Sequence, residues 1–306
     1  MIRRLLAILE RIPVFKLLLP VYIVLLIGFI LLVRHGHMQL LEPAGPVADV
    51  QARILWGALI FAFVVGVALI STVFFVAFRY REGMRRPYAP DWGAGKRLQL
   101  AAWLVPLAAI IAISVMVWDT AHLVDPYRAL SSSKQPVTIQ VVALRWKWLF
   151  IYPNDHIAAV NMMEIPVGTP VSLQLTADAP MNSFWVPRLS GQVYAMNGMV
   201  TELHLEADKQ GSYAGSPAEL SGDDFAGMDF TVKAVSASAY SSWKASARQS
   251  SRVLDFAAYT QLARPSGNAP VRTYAAPGAN LFTDVVMQYM MPGANVSALV
   301  NKGVAQ

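Results

Sequence analysis

Cysteine is absent from this chain. Its absence removes disulfides, thiolate metal sites, cysteine nucleophiles and acylation at sulfur. Charge is scarce too: Lys, Arg, Asp and Glu make up 14% of the 306 residues, against about 25% in an ordinary soluble domain. Histidine is confined to His35, His37, His122, His156 and His204. None has a partner at a familiar ligand spacing, so they read as surface or core residues rather than metal ligands. No G-x-S-x-G string occurs, and no Ser/His/Asp set can be assembled. GAGK at residues 93–96 lacks the first Gly and the Ser/Thr of a phosphate loop.

What is present is apolar. Hydrophobic residues are 55% of the chain and the mean hydropathy is +0.42. Residues 54–78 carry no charge over 25 positions and residues 98–118 none over 21, lengths that match the roughly 20 residues a helix needs to cross a bilayer. Residues 14–33, VFKLLLPVYIVLLIGFILLV, are apolar apart from Lys16. They follow Arg3, Arg4 and Arg11, as a signal peptide would, but the run is long and no A-x-A-like cleavage site follows promptly. We expect it to be retained as a third membrane helix.

Basic residues set the orientation. The connection over residues 79–97 holds Arg79, Arg81, Arg85, Arg86, Lys96 and Arg97, whereas residues 34–53 hold only Arg34 and Arg53. The positive-inside rule puts residues 79–97 in the cytoplasm and exports everything after Trp118. The exported part is neutral: from Lys134 onward there are 12 Lys+Arg and 12 Asp+Glu. The pI near 9.5 therefore reports topology, and no basic face for nucleic acid is expected.

The exported part alternates as strands do. Residues 137–152 (VTIQVVALRWKWLFIY), 170–176, 200–207 and 228–234 are short β-like runs separated by turn signals such as Tyr152-Pro153-Asn154-Asp155. A β-sandwich of about a hundred residues is the expectation. After Val235, SASAYSSWKASARQ, VLDFAAYTQLA and LFTDVVMQYMM read as short helices. The expected organisation is an N-terminal hydrophobic segment and linker (1–53), a transmembrane pair (54–133), a sandwich (134–235) and a helical C-terminal extension (236–306). The residues alone describe a membrane-anchored exported sandwich with no evident chemistry of its own.

Three strings in order then resemble a known family. LRWKWLFIYP (residues 144–153), MNSFWVPRLSGQVYAMNGM (181–199) and GSYAGSPAELSGDDFAGM (211–228) are similar to subunit II of the haem–copper oxidases, and Trp103 and Pro106 extend the match into the helix pair. The resemblance implies membrane helices followed by a cupredoxin-like sandwich on the outer side. Cytochrome c oxidases carry a binuclear copper centre there, held by two thiolates, two imidazoles, a thioether and a backbone carbonyl, soft donors suited to that metal. The place of the first imidazole is Asn182. The C-x-E-x-C, His and Met places hold Pro217, Glu219, Ser221, Phe225 and Met228. Only the glutamate and the methionine survive, so copper binding is expected to be negligible. Glu219 and Met228 then read as relics of loop geometry, and Asp223 and Asp224 as a solvated turn.

That pattern of loss resembles the quinol-oxidising branch, the cytochrome bo-type ubiquinol oxidases. It implies a structural and assembly role in a proton-pumping oxidase, with no cofactor in this chain. Two haems and one copper would lie in subunit I, and ubiquinol would be the substrate. The implied partners are subunit I, the other subunits and the lipid bilayer, with no cytochrome c docking. The implied location is the bacterial inner membrane. Relatives often carry an acylated Cys at a place that is Gly36 here, and a proton-entry glutamate at a place that is Gln99. Lipidation is excluded, and no proton-uptake role is assigned. Trp146 and Trp148 belong, in the family, to a strand facing subunit I; they are expected to pack rather than to carry electrons, and Gln99 is a further expected contact. Two rivals stand beside this reading: a cytochrome c oxidase electron carrier, and a stand-alone anchored cupredoxin-like binding protein.

Overall fold

The computed structural model describes residues 14–36, 38–80 and 95–290. His37, Arg3, Arg4, Arg11 and most of the basic connection, including Arg81, Arg85, Arg86 and the first residues of GAGK, lie outside the described residues. The remainder divides into two compact units.

The first unit is helical. α1 (Val14–His35) contains Pro20, α2 (Pro46–Arg79) runs 34 residues, and α3 (Lys96–Leu123) contains Pro106. Tyr22 of α1 donates to the Val64 carbonyl of α2 at 2.8 Å, and Phe29 stacks on Phe63 with ring centroids 5.0 Å apart. Among the described residues two helices are long and apolar enough to cross a membrane, Pro46–Ala77 and Gln99–Leu123. At 1.5 Å per residue each exceeds the roughly 30 Å hydrocarbon core. Their faces expose Leu69, Val73, Phe74, Val105 and Ile110, a contiguous apolar surface that water would not tolerate. The first expected span does form a helix, whose described apolar stretch is Pro20–Leu32.

The second unit comprises Glu42–Ala52 and the chain from Leu123 onward. Its strands are β1 (Val137–Leu144), β2 (Lys147–Tyr152), β3 (Ile157–Val160), β4 (Met162–Pro166), β5 (Val171–Ala177), β6 (Asn182–Trp185), β7 (Gln192–Ala195), β8 (Thr201–Leu205), β9 (Gly211–Pro217), β10 (Phe230–Val235) and β11 (Arg272–Ala275). They form a six-stranded sheet, β11-β3-β2-β1-β5-β8, and a five-stranded sheet, β4-β10-β9-β6-β7. β1 runs parallel to β5 and β4 parallel to β10. Three helices follow the sandwich strands: α4 (Ala237–Arg248), α5 (Phe256–Leu262) and α6 (Leu281–Met290).

Alternation decides which side chains fill which layer. Ile139, Val141 and Ala143 of β1, with Trp148, Phe150 and Tyr152 of β2, point between the sheets into the main core. Their neighbours Val142, Leu144, Leu149 and Ile151 point the other way. There they meet Leu254, Tyr259, Leu281, Phe282, Val285 and Val286 of the C-terminal extension. Both faces of β2 are thus buried, and all six of its residues are inaccessible.

Two details differ from the sequence expectation. The run 137–152 is not one strand but a hairpin, paired from Leu144↔Lys147 to Gln140↔Ile151. Arg145 and Trp146 make its turn, and Trp146 adopts a left-handed φ of 63°. A pattern reader sees unbroken β-formers there, because the residue forced into the turn is an aromatic instead of Gly or Asn. The extension, read as purely helical, also contributes β11, which pairs antiparallel with β3. Between β3 and β4 the chain crosses from one sheet to the other at Asn161, φ 55°. Asparagine tolerates this conformation, and its side chain accepts from Trp148 N and donates to Ala269 O, both at 2.8 Å.

Candidate functional site

The residues singled out by sequence converge on one end of the sandwich. β6 pairs with β9 through Phe184↔Pro217 and Trp185↔Ser216, and Ala218 N donates to Ser183 O at 3.0 Å. This joins Asn182, at the start of β6, to the loop after Pro217. Phe225–Gly227 forms a turn of 3-10 helix that returns the chain to Met228 and β10. Met228 is fully buried in the main core. From β2, Trp148 donates its indole Nε1–H to the Met228 carbonyl at 3.1 Å. From the β1–β2 turn, Trp146 lies over Gly222, its ring 3.4 Å from where a Cβ would stand. The frame is complete from both sheets.

The donors in that frame are poor ones for copper. Asn182 is 1% exposed, and its amide nitrogen is committed to Pro180 O at 2.7 Å. Pro217 and Phe225 offer no side-chain donor at all. The Met228 thioether packs with a ring cluster in which Trp148 sits 5.3 Å from Phe184 and Phe184 stacks on Phe230 at 4.8 Å. Among the described residues no group of three or more His, Cys, Asp or Glu is placed to hold a metal ion. The thiolate and imidazole set that binuclear copper requires does not fit these residues. Among the described residues, three buried polar atoms here, Trp146 Nε1, Asn182 Oδ1 and Ser221 Oγ, have no hydrogen-bond partner. Together with the left-handed φ of Trp146, whose cost for a bulky residue is about 1–3 kcal/mol, they mark this end as locally strained.

The loop rests on the C-terminal extension. A Cβ on Gly227 would stand 2.6 Å from Asn268 Oδ1, and one on Gly267 would stand 2.8 Å from Asp224 Cγ. Such approaches require glycine on both sides. Lys147, only 2% exposed, holds the extension by donating to Leu262 O, Arg264 O and Ser266 Oγ at 2.9, 2.8 and 2.5 Å. The first two acceptors are the carbonyl ends of α5 and its following turn, where a cation is favoured. Burial, then the charge of Arg272, pulls the Lys147 ammonium below its usual range.

A second polar node was not legible in the sequence. Asp178, just past β5, accepts from Tyr259 at 2.5 Å, Tyr289 at 2.6 Å and Gln288 at 2.8 Å. Burial is the main reason the Tyr259 phenol is held well above its usual range; the Asp178 charge adds to it. Tyr289 is pushed up to about 12, again chiefly by burial. No motif announces this node, because its partners lie 81 to 111 residues away. Of the remaining site expectations, Gln99 is exposed in the first turn of α3. Of the described histidines, His122 bonds the Trp118 carbonyl through Nδ1 at 2.8 Å, and His204 lies 3.9 Å from Glu202.

Comparison with known proteins gives this frame its context. Residues 153–235 match the family model of the cytochrome c oxidase subunit II periplasmic domain, and residues 248–293 match the COX aromatic rich motif. The cytochrome bo(3) ubiquinol oxidase subunit 2 of Pseudomonas putida is 41% identical over 262 residues, 85% of this chain and 83% of that one. Its counterpart from Pseudomonas aeruginosa is 38% identical over 85% of this chain and 78% of that one. The ubiquinol oxidase subunit 2 of Acetobacter aceti is 38% identical over 85% of each chain. This chain belongs to the ubiquinol oxidase subunit 2 family. Its sandwich has the cupredoxin-like form expected from the sequence. The structural elements that pin the loop to residues 266–269 fall in the aromatic rich motif, so the two matched segments meet at this loop.

Proposed function

We propose that this chain is subunit II of a proton-pumping terminal oxidase of the bacterial inner membrane. The complex takes electrons from ubiquinol, reduces dioxygen to water and moves protons outward. This subunit carries no redox centre; the two haems and one copper of the complex lie in subunit I. The observation that carries the reading is the donor set of the frame: an asparagine with its amide already bonded, a proline, a phenylalanine and a core-packed methionine. A quinol is lipid-soluble and delivers electrons within the membrane, so a relay in the aqueous phase is unnecessary. The neutral balance of the exported part, 12 basic against 12 acidic residues, likewise suits a chain with no basic cytochrome to dock.

The subunit then clamps and orients subunit I, with the sandwich capping its outer face and Trp146 and Gln99 toward the contact; Trp148, expected beside them, is buried between the sheets and cannot reach a partner. Support for the topology comes from the exported unit itself. Arg188 Nε donates to Glu42 O and Ala44 N to Arg188 O, each at 2.8 Å. The chain before α2 and the chain after α3 therefore share one side of the membrane, which requires an even number of crossings between them. Residues 79–97 would be the cytoplasmic turn of that pair, and α1 a retained third span.

The test is one purification through an affinity tag on this chain. The reading expects a haem-containing polytopic partner, one copper for two haems, and oxygen uptake driven by ubiquinol. Oxygen uptake that needs cytochrome c, or three coppers for two haems, would overturn it. A haem-free monomer in mild detergent would favour the stand-alone binding protein.

A further inference from the structure

With no cysteine, the soft donors of this chain are its 13 methionine thioethers, and four of them gather at one end of the sandwich. β6 and β7 pair through Asn182↔Ala195, so Met181 and Met196 are the next opposed residues in that register. Cross-strand Cβ atoms at such positions stand about 4.5–5.5 Å apart. Alternation fixes their face: Asn182 and Ala195 are buried, so Met181 and Met196 point outward. From Met196 the chain turns back at once. Met199 N donates to Met196 O at 3.4 Å around Gly198, whose φ is 68°. Ala177 N and Thr176 Oγ1 hold that turn in place, each donating to the same Met196 carbonyl at 3.2 Å. The fourth methionine arrives from α6: Met290 Cγ stands 3.5 Å from where a Cβ on Gly198 would lie.

Apolar side chains exposed singly need no explanation, but these four are grouped. Met181, Met199 and Met290 are 43%, 53% and 60% exposed, and Met196 is half-buried. What they share is an uncharged, polarizable sulfur on a side chain with three rotatable bonds, which lets several sulfurs close on one point. Thioethers select Cu(I), whereas harder divalent ions take carboxylate, carbonyl or water oxygen. The carboxylate that Tyr289 brings to this side, Asp178, is already engaged by three donors. None of the four methionines occupies a place of the binuclear copper centre, which fell to Asn182, Pro217, Glu219, Ser221, Phe225 and Met228.

We propose that Met181, Met196, Met199 and Met290 form a labile, thioether-only site for a Cu(I) ion. The ion arrives and leaves as Cu(I), with no electron transferred. The proposal does not rest on the electron donor. A wash with the Cu(I) chelator bathocuproine disulfonate empties the site, so the copper-to-haem ratio of the washed complex still tests that reading separately. The test uses the whole washed complex, tagged on this chain, in chloride-free buffer. It is titrated with Ag(I), a redox-inert soft ion of the same charge, and bound metal is counted by native mass spectrometry. Wild type takes up one Ag(I) more than the triple variant Met181→Leu, Met196→Leu, Met199→Leu. Leucine conserves the volume, so haem content and thermal midpoint stay as they were. Met199→Leu alone weakens Ag(I) binding by about tenfold, the loss of one soft donor. Zn(II) uptake is the same in wild type and triple variant. Equal Ag(I) uptake by the two overturns the proposal, including where a partner subunit covers these thioethers. So does a matching loss of Zn(II) in the triple variant, which would mark a site that does not select soft ions.

Discussion

Asp178→Asn is the perturbation that most directly tests how the C-terminal extension is held. Three side chains from α5 and α6 donate to this one carboxylate. A hydrogen bond to a charged group contributes about 1.5–3 kcal/mol. Only the Tyr259 bond earns the full figure, because Tyr259 is 2% exposed whereas Tyr289 is 41% exposed. Asparagine keeps one acceptor oxygen and replaces the other with a donor, so the expected loss is about 2 kcal/mol. Local opening of α5, which carries Tyr259, then becomes about thirtyfold more frequent, since each 1.4 kcal/mol is a factor of ten. Hydrogen exchange followed by mass spectrometry on the intact complex measures this directly. Amides of α5 should exchange about thirtyfold faster while those of β1 and β5 hold. Tyr259→Phe should reproduce most of the effect, and the double variant should add little to either. An acceleration below about threefold would refute the reasoning. It would mean that Leu281, Phe282, Val285 and Val286 hold the extension by apolar contact alone.

Trp148→Phe removes the indole donor from the buried Met228 carbonyl and should cost about 1–3 kcal/mol, read as a lower thermal midpoint of the complex with unchanged haem content. Gly215→Ala places a Cβ 2.2 Å from the Phe230 ring; overpacking of this kind costs about 1–3 kcal/mol, visible as loss of the folded domain to protease. At high pH the Tyr289 phenol should ionise near 12 rather than near the ordinary value of about 10, because burial and the Asp178 bond favour its neutral form. A raised acid pKa stabilises the fold fully below about pH 10 and loses that contribution as pH climbs through about 12. The phenolate absorbance difference between wild type and Tyr289→Phe checks this, and a step near 10 would contradict it.

Much of the architecture was readable because period and composition carry it. The charge-free runs announced the long helices, and β5, β8 and β10 alternate cleanly over one buried face. The hairpin turn at Trp146 escaped because its left-handed backbone is imposed by tertiary contact with Gly222 instead of by a turn-forming residue. β3 and β4 escaped because Asn161 alone separates them, and a one-residue switch between sheets leaves no gap in the pattern. At the site, the identities of Asn182, Pro217 and Phe225 could be read from alignment to the family strings. That Lys147 and Asp178 fasten the extension could not, since a lone charge in sequence does not reveal which distant carbonyls or phenols will satisfy it.

The segment just before α2 has a consequence for how the chain is made. Ala44, Ala48 and Ala52 are buried in the exported unit, Asp208 N donates to the Ala44 carbonyl, and a Cβ on Gly45 would overlap Glu206 O at 2.1 Å. The bond from Arg188 to Glu42 spans 146 residues. Residues 42–52 are synthesised early, yet the wall they fit is not made until both long helices have been synthesised. On the proposed topology, a chain in which only one of the two helices crosses leaves this segment on the opposite side of the membrane from its wall, and the sandwich cannot close. If the helix pair crosses as proposed, closure of the outer domain would report on insertion: the notch at Gly45 would be filled only when both helices have crossed.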